Sequence, residues 1–267
     1  MSHILSYAIN HMAAPRTSFA ELVGLAGALG LDRVEIRNDL PGVGIADGTP
    51  AVRIREQAEA AGVRILSINA LQRFNDWNET RAAEAQALAR YARDCGAEAL
   101  VLCPVNDPAW RPSETERLGV LRAALRALAP ILADADVVGL IEPLGFAASS
   151  LRLKAEAVEA IDEFGLGARF RLVHDTFHHH LAGEARMFPE RTGLVHISGV
   201  DDAALPLERM RDQHRVLVGP HDLLGNVAQR CDERGHRVVE GVLERPNHER
   251  ALLHRLCLRV VHRDSLR

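Results

Sequence analysis

The feature that most constrains this chain is a regular alternation of short apolar runs with stretches of helical periodicity. The runs lie at 4–9, 33–36, 63–68, 99–102, 137–141, 170–173 and 194–197. Each is short and enriched in Val, Ile and Leu, as parallel strands buried on both faces are. Successive runs stand about 30 residues apart, the length of one βα unit. Seven such strands with room for an eighth predict an α/β fold, a single (β/α)8 barrel over residues 1–267. An open doubly wound sheet is the alternative. It normally carries a Gly-rich first turn, and Ile9-Asn10-His11-Met12 has none.

The intervening segments carry helix boundary signals. Ser18 with Glu21 reads as a capping box, with Gly30 as the stop. Thr49 before Pro50 reads as an N-cap followed by a first-turn proline. Asn78 opens an Ala-rich helix that stops near Gly96, and Ser113 with Glu116 opens another. A fifth helix is expected over 150–164.

Composition removes several function classes. At 267 residues, 47% hydrophobic and 25% charged, the chain can bury a substantial core and is not expected to be disordered. The formal net charge of −4 leaves no basic excess to neutralise phosphates, so no nucleic-acid partner is expected. No apolar run approaches the ~20 residues of a membrane span, and the N-terminus shows no signal-peptide pattern. Of 32 basic residues only Lys154 is a lysine, and it falls in a helical pattern rather than at a strand end. Schiff-base chemistry and a Walker A loop are thereby disfavoured. Cys95, Cys103, Cys231 and Cys257 have no C-x-x-C spacing. Reduced thiols and a cytoplasmic location are the expectation.

In a barrel, chemistry gathers where strands end. The strand ends here offer Asn10 and His11, Glu35 and Arg37, Asn69, Asn106 and Asp107, Glu142, Asp175 and His196. The strongest set is Glu142, Asp175 and His196 on three consecutive strands. Carboxylates directly after apolar runs are costly unless paired or metal-bound, so these three are read as a partial site for a divalent cation. Of His178, His179 and His180, His178 is kept, because it follows Asp175 by three residues on what reads as a loop, the other two being taken as solvated. His11 reads as a polar loop residue, and 73–77 as either a lid or an ordered loop.

Six short motifs in this order resemble those of the xylose-isomerase-like TIM barrels. They are Val34-Glu35-Ile36-Arg37, Ile68-Asn69-Ala70-Leu71 with Phe74-Asn75, Ile141-Glu142-Pro143, His174-Asp175-Thr176-Phe177-His178, Val195-His196-Ile197 and Arg215-Val216-Leu217-Val218-Gly219. Within that group the chain is most similar to the inosose (2-keto-myo-inositol) isomerases, from about residue 4 to about residue 229. The resemblance implies one divalent ion held by Glu, Asp, His and Glu on strands 5 to 8, with Mn²⁺, Mg²⁺, Co²⁺ and Zn²⁺ all open. It places the first three ligands at Glu142, Asp175 and His196, and a substrate-contacting histidine at His178.

The fourth ligand falls where the chain departs from the family. In Gly235 through Pro246, Glu240 and Glu244 share one strand parity, and Glu244 fits the strand end better. Residues 230–267 are atypical, with nine Arg, four His and no aromatic residue. A divergent eighth unit and a frameshifted C-terminus are both open. The expected activity is metal-dependent isomerisation of an unphosphorylated polyol ketone, 2-keto-myo-inositol or similar, through a cis-enediol, in inositol and carbohydrate catabolism. Glu142 and Glu244 would move protons; His178 would contact a substrate oxygen. Asn69, Asn75, Asn106 and Arg215 would bind hydroxyl or other oxygen groups. The Asp201-Asp202 pair after strand 7 would repel a phosphate dianion. Alternatives on the same scaffold are a sugar 3-epimerase, a hydroxypyruvate-type isomerase, or a non-catalytic sugar-binding barrel. An abasic-site endonuclease would need further histidines where Asn69 and Asn106 stand. A small polyol or sugar is the expected partner, without nucleic acid or membrane, and self-association is left open.

Overall fold

The computed structural model describes residues 6–40, 45, 47–197 and 258–261. Seven strands run in chain order: β1 (Ser6–Asn10), β2 (Arg33–Arg37), β3 (Arg64–Leu71), β4 (Ala99–Leu102), β5 (Val138–Ile141), β6 (Phe170–Asp175) and β7 (Thr192–His196). Each pairs in parallel with the next. Helices α1 (Phe19–Ala28), α2 (Ala51–Ala60), α3 (Glu79–Cys95), α4 (Glu114–Asp134), α5 (Lys154–Glu163) and α6 (Thr176–Ala182) alternate with them.

The barrel closes through β8 (Leu258–Val261), which pairs antiparallel with both β7 and β1. The sequence places an eighth strand at 235–246, which lies outside the described residues. The segment that occupies the eighth position is 258–261, and its direction is reversed. Both β7 and β1 would otherwise present unpaired backbone edges, and the four residues Leu258-Arg259-Val260-Val261 pair them.

Two apolar layers follow from strand alternation. Ile9, Val34, Ile68, Leu100, Ile141 and Leu172 face outward, against α-helical residues such as Leu22, Ile54, Ala89, Leu125 and Ile161. Ala8, Leu66, Val101, Leu140, Val173 and Leu194 form the inner layer. Gly139 on β5 faces the outer layer. A Cβ there would stand 2.7 Å from the Phe170 ring and 2.8 Å from Leu132, so only glycine admits that approach.

Local signals explain the helix starts. Ser18–Glu21 and Ser113–Glu116 form complete capping boxes, and Asn78 caps α3, which ends at left-handed Gly96. Two expectations are corrected. Pro50 stands at the N-cap of α2, because the Thr49 hydroxyl and N–H both donate to Asp47. And α5 starts at Lys154 rather than 150, because Ser149 and Ser150 are committed to the preceding turn. Its first free N–H groups, of Lys154 and Ala155, donate to the Glu184 carboxylate at 3.0 and 2.9 Å. A carboxylate distant in sequence thus takes the place of an N-cap side chain.

Candidate metal centre

The site is an extension of the inner layer. Two residues beyond Ala8, Val101, Leu140, Val173 and Leu194, and therefore on the same face, stand Asn10, Cys103, Glu142, Asp175 and His196. All five are buried, and β2 adds Glu35, which has no exposed surface. The apolar plug ends and a polar floor begins at one level of the barrel, at the C-terminal ends of the parallel strands.

His196 Nδ1 lies 2.7 Å from Glu142 Oε1 and 3.8 Å from Asp175 Oδ2. Its Nε2 lies 3.6 Å from Glu35 Oε2. Glu35 also accepts from Ser67 Oγ and, at 3.3 Å, from Asn10 Nδ2. The Cys103 thiol stands 3.6 Å from Glu142 Oε2, within reach of a weak S–H donation.

His178 is brought in by a helix cap. Asp175 is the N-cap of α6, and its Oδ1 accepts from the His178 N–H at 3.0 Å. N-cap and third helical residue are neighbours through that bond, so the Asp-x-x-His spacing sets the histidine beside the aspartate. His178 therefore belongs to a helix and not, as its spacing suggests, to a loop. One ligand atom each from Glu142, Asp175 and His178 lies within 4.8 Å of the others. The imidazole packs edge-on against Phe146, 5.0 Å between centroids, and beside Phe177 at 5.2 Å. Its Nδ1 is buried with no hydrogen-bond partner among the described residues. Gly145 makes room for this arrangement: a Cβ there would meet the His178 carbonyl at 2.2 Å.

Burial pushes the Glu142 carboxyl up, but the opposing pull of His196, by charge and hydrogen bond, then of His178 and Arg37, brings it down to about 2. Glu142 is thus a carboxylate across the working pH range. Burial and the adjacent Glu142 charge raise the Cys103 thiol well above its usual range, so it stays protonated and can donate.

Behind α6 lies a second buried group that sequence reasoning missed. Lys154 Nζ stands 2.6 Å from His179 Nδ1 and 3.3 Å from Glu184 Oε2, and the His179 ring is tilted on His174 at 4.8 Å. His179 is not a solvated histidine as expected; only His180 of the three is exposed. The available signal was the single lysine of an arginine-rich chain.

The remaining expected site residues fall as follows. Asn69 is buried and accepts from Arg37 Nη1 at 3.0 Å, while Arg37 also grips Asp39. Asn106 is half-buried and bridges to Ser149. Asn75 is fully buried and used by the fold itself: Nδ2 donates to Ser150 Oγ at 2.8 Å, and Oδ1 accepts from Val105 N at 2.9 Å. Residues 73–77 form an ordered loop, with Phe74 in the core and Arg73 paired to Asp76 and Asp107. His11 is a buried turn residue whose Nε2 meets the Thr17 carbonyl. Arg215, Glu240 and Glu244 lie outside the described residues.

Two carboxylates and an imidazole nitrogen converging at this spacing, with His178 Nδ1 unpartnered among the described residues, fit a divalent cation of the oxygen- and nitrogen-binding kind. Among the described residues, no helix is long and apolar enough to cross a membrane.

Residues 23–237 match the family model described as xylose isomerase-like TIM barrel. A xylose isomerase domain containing protein from Salmonella typhimurium LT2 is 36% identical, with 86% of this chain and 85% of that chain covered and a TM-score of 0.74. The IolI protein, solved with a bound zinc atom, is 19% identical over 86% of each chain, TM-score 0.73. The probable 3-DHS dehydratase AsbF from Bacillus anthracis is 13% identical over 94% of this chain and 96% of its own, TM-score 0.66. A search of curated proteins gave no match.

Proposed function

The chain belongs to the xylose isomerase-like TIM barrel family, and from that premise we propose that it is a metal-dependent isomerase of an unphosphorylated polyol ketone, 2-keto-myo-inositol or a close analogue. The observation that carries this reading is the convergence of Glu142, Asp175 and His178 within 4.8 Å at the strand ends, with His196 against Glu142. The zinc in the IolI structure supports the metal part of it. Glu142, Asp175 and His196 would hold the ion, the eighth-strand carboxylate assigned to Glu244 would complete the set, and His178 would stand beside it for the substrate. We further propose that the enzyme is cytoplasmic, in keeping with the free thiols of Cys95 and Cys103.

Isomerisation of an α-hydroxy ketone moves a proton between adjacent carbons through a cis-enediol. The carbon acid is weak, so a base must sit on the carbon and positive charge near the developing oxyanion. When bound, a divalent ion supplies that charge. Glu142, ionised and held by His196 and Cys103, is the proton acceptor on one side. His178, fixed by Phe146 and the helix cap, orients a substrate oxygen by hydrogen bonding. Asn69 and Asn106 offer amides suited to hydroxyl groups. The inner layer of Val101, Leu140 and Val173 closes the barrel below the site and excludes water from that side.

The test is incubation of the purified, Mn²⁺-loaded protein with a panel of inososes and ketoses in D₂O, followed by chelation and NMR. Deuterium at the carbon next to the ketone with a positional isomer supports the isomerase. Inversion of a hydroxyl without carbonyl migration establishes a 3-epimerase instead. Absence of exchange with every substrate favours a sugar-binding barrel.

A further inference from the structure

We propose that Lys154 is a positioning residue: by holding His179 it fixes the roll of α6, and with it the seat of His178 beside the candidate metal centre. The inference rests on the reading above that Asp175 holds the ion and that His178 stands next to it.

The helix α6 spans seven residues, too few to be held by its own hydrogen bonds. Its placement is set by what it is tied to. At its start, Asp175 caps the His178 N–H at 3.0 Å. At its end, Arg152 Nη2 donates to the Leu181 carbonyl at 3.3 Å and, together with Nε, to the Gly145 carbonyl at 3.0 and 3.2 Å. Both ties fall on backbone groups close to the helix axis, where they resist sliding better than rotation. The tie through Lys154 is different: Nζ reaches the His179 side chain, off the axis, at 2.6 Å. Successive helical residues point about 100° apart, so a restraint on His179 sets the direction of His178. Phe146 packs on His178 from one side, and Lys154 supplies the restraint from the other. Stability alone does not account for this lysine. Its side chain is 4% exposed and that of Glu184 8%, and a buried ion pair is a weak source of stability. Both Glu184 oxygens already accept backbone N–H groups, so the cap of α5 does not require the ammonium. What the ammonium adds is the bridge from α5 to α6. Every other basic residue of the chain is an arginine. A compact ammonium with three rotatable donors serves Glu184 and His179 together, whereas a guanidinium presents its donors in one rigid plane.

Carbon–proton NMR of the histidine rings in the metal-free protein tests this, at one fixed pH above the titration range of free imidazole. His178 is assigned by its loss in His178→Asn. Its edge-on packing against Phe146, 5.0 Å between centroids, gives its ring protons a ring-current shift that reports its seat. Lys154→Met and His179→Leu each cut the bridge, the second leaving Lys154 paired with Glu184. Both are expected to move the His178 signals. Both should also weaken Zn²⁺ binding, measured by calorimetry, by about 10- to 100-fold, because the Asp175 carboxylate is tied to the same helix by its cap. His179→Asn loses the same ring as His179→Leu but keeps an acceptor close to the place of Nδ1, and should stay near wild type in both measurements. A purely structural role predicts a lower urea midpoint with the His178 signals and the Zn²⁺ affinity of the folded protein unchanged in Lys154→Met and His179→Leu; that result overturns the proposal. If Lys154→Met does not fold, the contrast between His179→Leu and His179→Asn decides, and equal behaviour of the two overturns it. If the wild-type protein takes up no Zn²⁺, the metal-centre reading fails by itself. The metal-free spectra then decide this inference: moved His178 signals support it and unmoved ones overturn it.

Discussion

His196 Nδ1 lies 2.7 Å from Glu142 Oε1, joining the ends of β7 and β5 across the barrel floor. That contact keeps Glu142 ionised in a buried place, and it lets residues 54 apart in sequence act on one ligand. Four consequences of the site's geometry, and one of its proposed chemistry, can be measured.

Glu142→Gln removes the charge but not the volume of the proposed proton acceptor. A positioned acid–base group contributes about 10²- to 10⁴-fold, so turnover should fall at least that far while the circular dichroism spectrum is unchanged. Retention of full activity would remove Glu142 from the chemistry.

Asp175 has two tasks that substitutions can separate. Asp175→Asn keeps an acceptor for the His178 N–H but loses the anionic oxygen, so metal content by mass spectrometry should drop while stability holds. Asp175→Ala loses both, adding about 0.5–2 kcal/mol of destabilisation for the missing cap. Full metal occupancy in Asp175→Ala contradicts its place in the centre.

Gly145→Ala adds one methyl group where the His178 carbonyl stands 2.2 Å from the new Cβ. Overpacking of this kind costs about 1–3 kcal/mol, and relief requires α6 to move. Metal affinity should weaken although no ligand has been changed. Unaltered affinity and Tm would show that α6 yields without moving His178.

Asn75→Ala should be a stability variant rather than a binding variant. It strips the Ser150 hydroxyl and the Val105 N–H of their partner in a fully buried spot, costing about 1–3 kcal/mol. Urea denaturation should register this, with KM for substrate unchanged in the folded fraction. A raised KM at unchanged stability would restore Asn75 to the substrate.

His174 gives the protein an acid-sensitive element. Burial, then the Lys154 charge, lowers its imidazole from 6.5 to about 3. The unfolded chain therefore takes up a proton below pH 6.5 that the folded protein refuses down to about pH 3. The stability is present above 6.5 and is lost as pH falls through that window. His174→Phe retains a ring against His179 and abolishes the titration, since His174 Nε2 makes no hydrogen bond among the described residues. Urea midpoints between pH 7 and 4 should slope less steeply in the variant; an equal slope would place the acid sensitivity elsewhere.

The barrel was legible because burial on both strand faces enforces short runs enriched in Val, Ile and Leu, a local pattern. β4 coincides with the run at 99–102, and both Ser–Glu capping boxes stand where the spacing placed them. Glu142, Asp175 and His196 were visible for a related reason: a charged residue ending an apolar strand contradicts its surroundings and invites explanation. The start of α5 was not legible, because its cap is Glu184, about 30 residues away. The role of Asn75 was not legible either, since Ser150 is 75 residues distant and an asparagine looks the same whether it faces substrate or clamps two loops.

Sequence alone thus determined what depends on neighbours within a turn or a strand: the element order, the parity that turns Glu142, Asp175 and His196 inward, and the Asp175–His178 spacing. Tertiary structure alone decided which of those groups meet. Barrel closure through an antiparallel Leu258–Val261 set β7 beside a strand that the periodicity had not marked. It also set Glu35 and Glu142 on either side of one imidazole, and Lys154 against His179. Contacts between distant strands depend on barrel closure and register, which are set by pairing the whole sheet at once. Short-range preferences in the chain carry no record of that geometry.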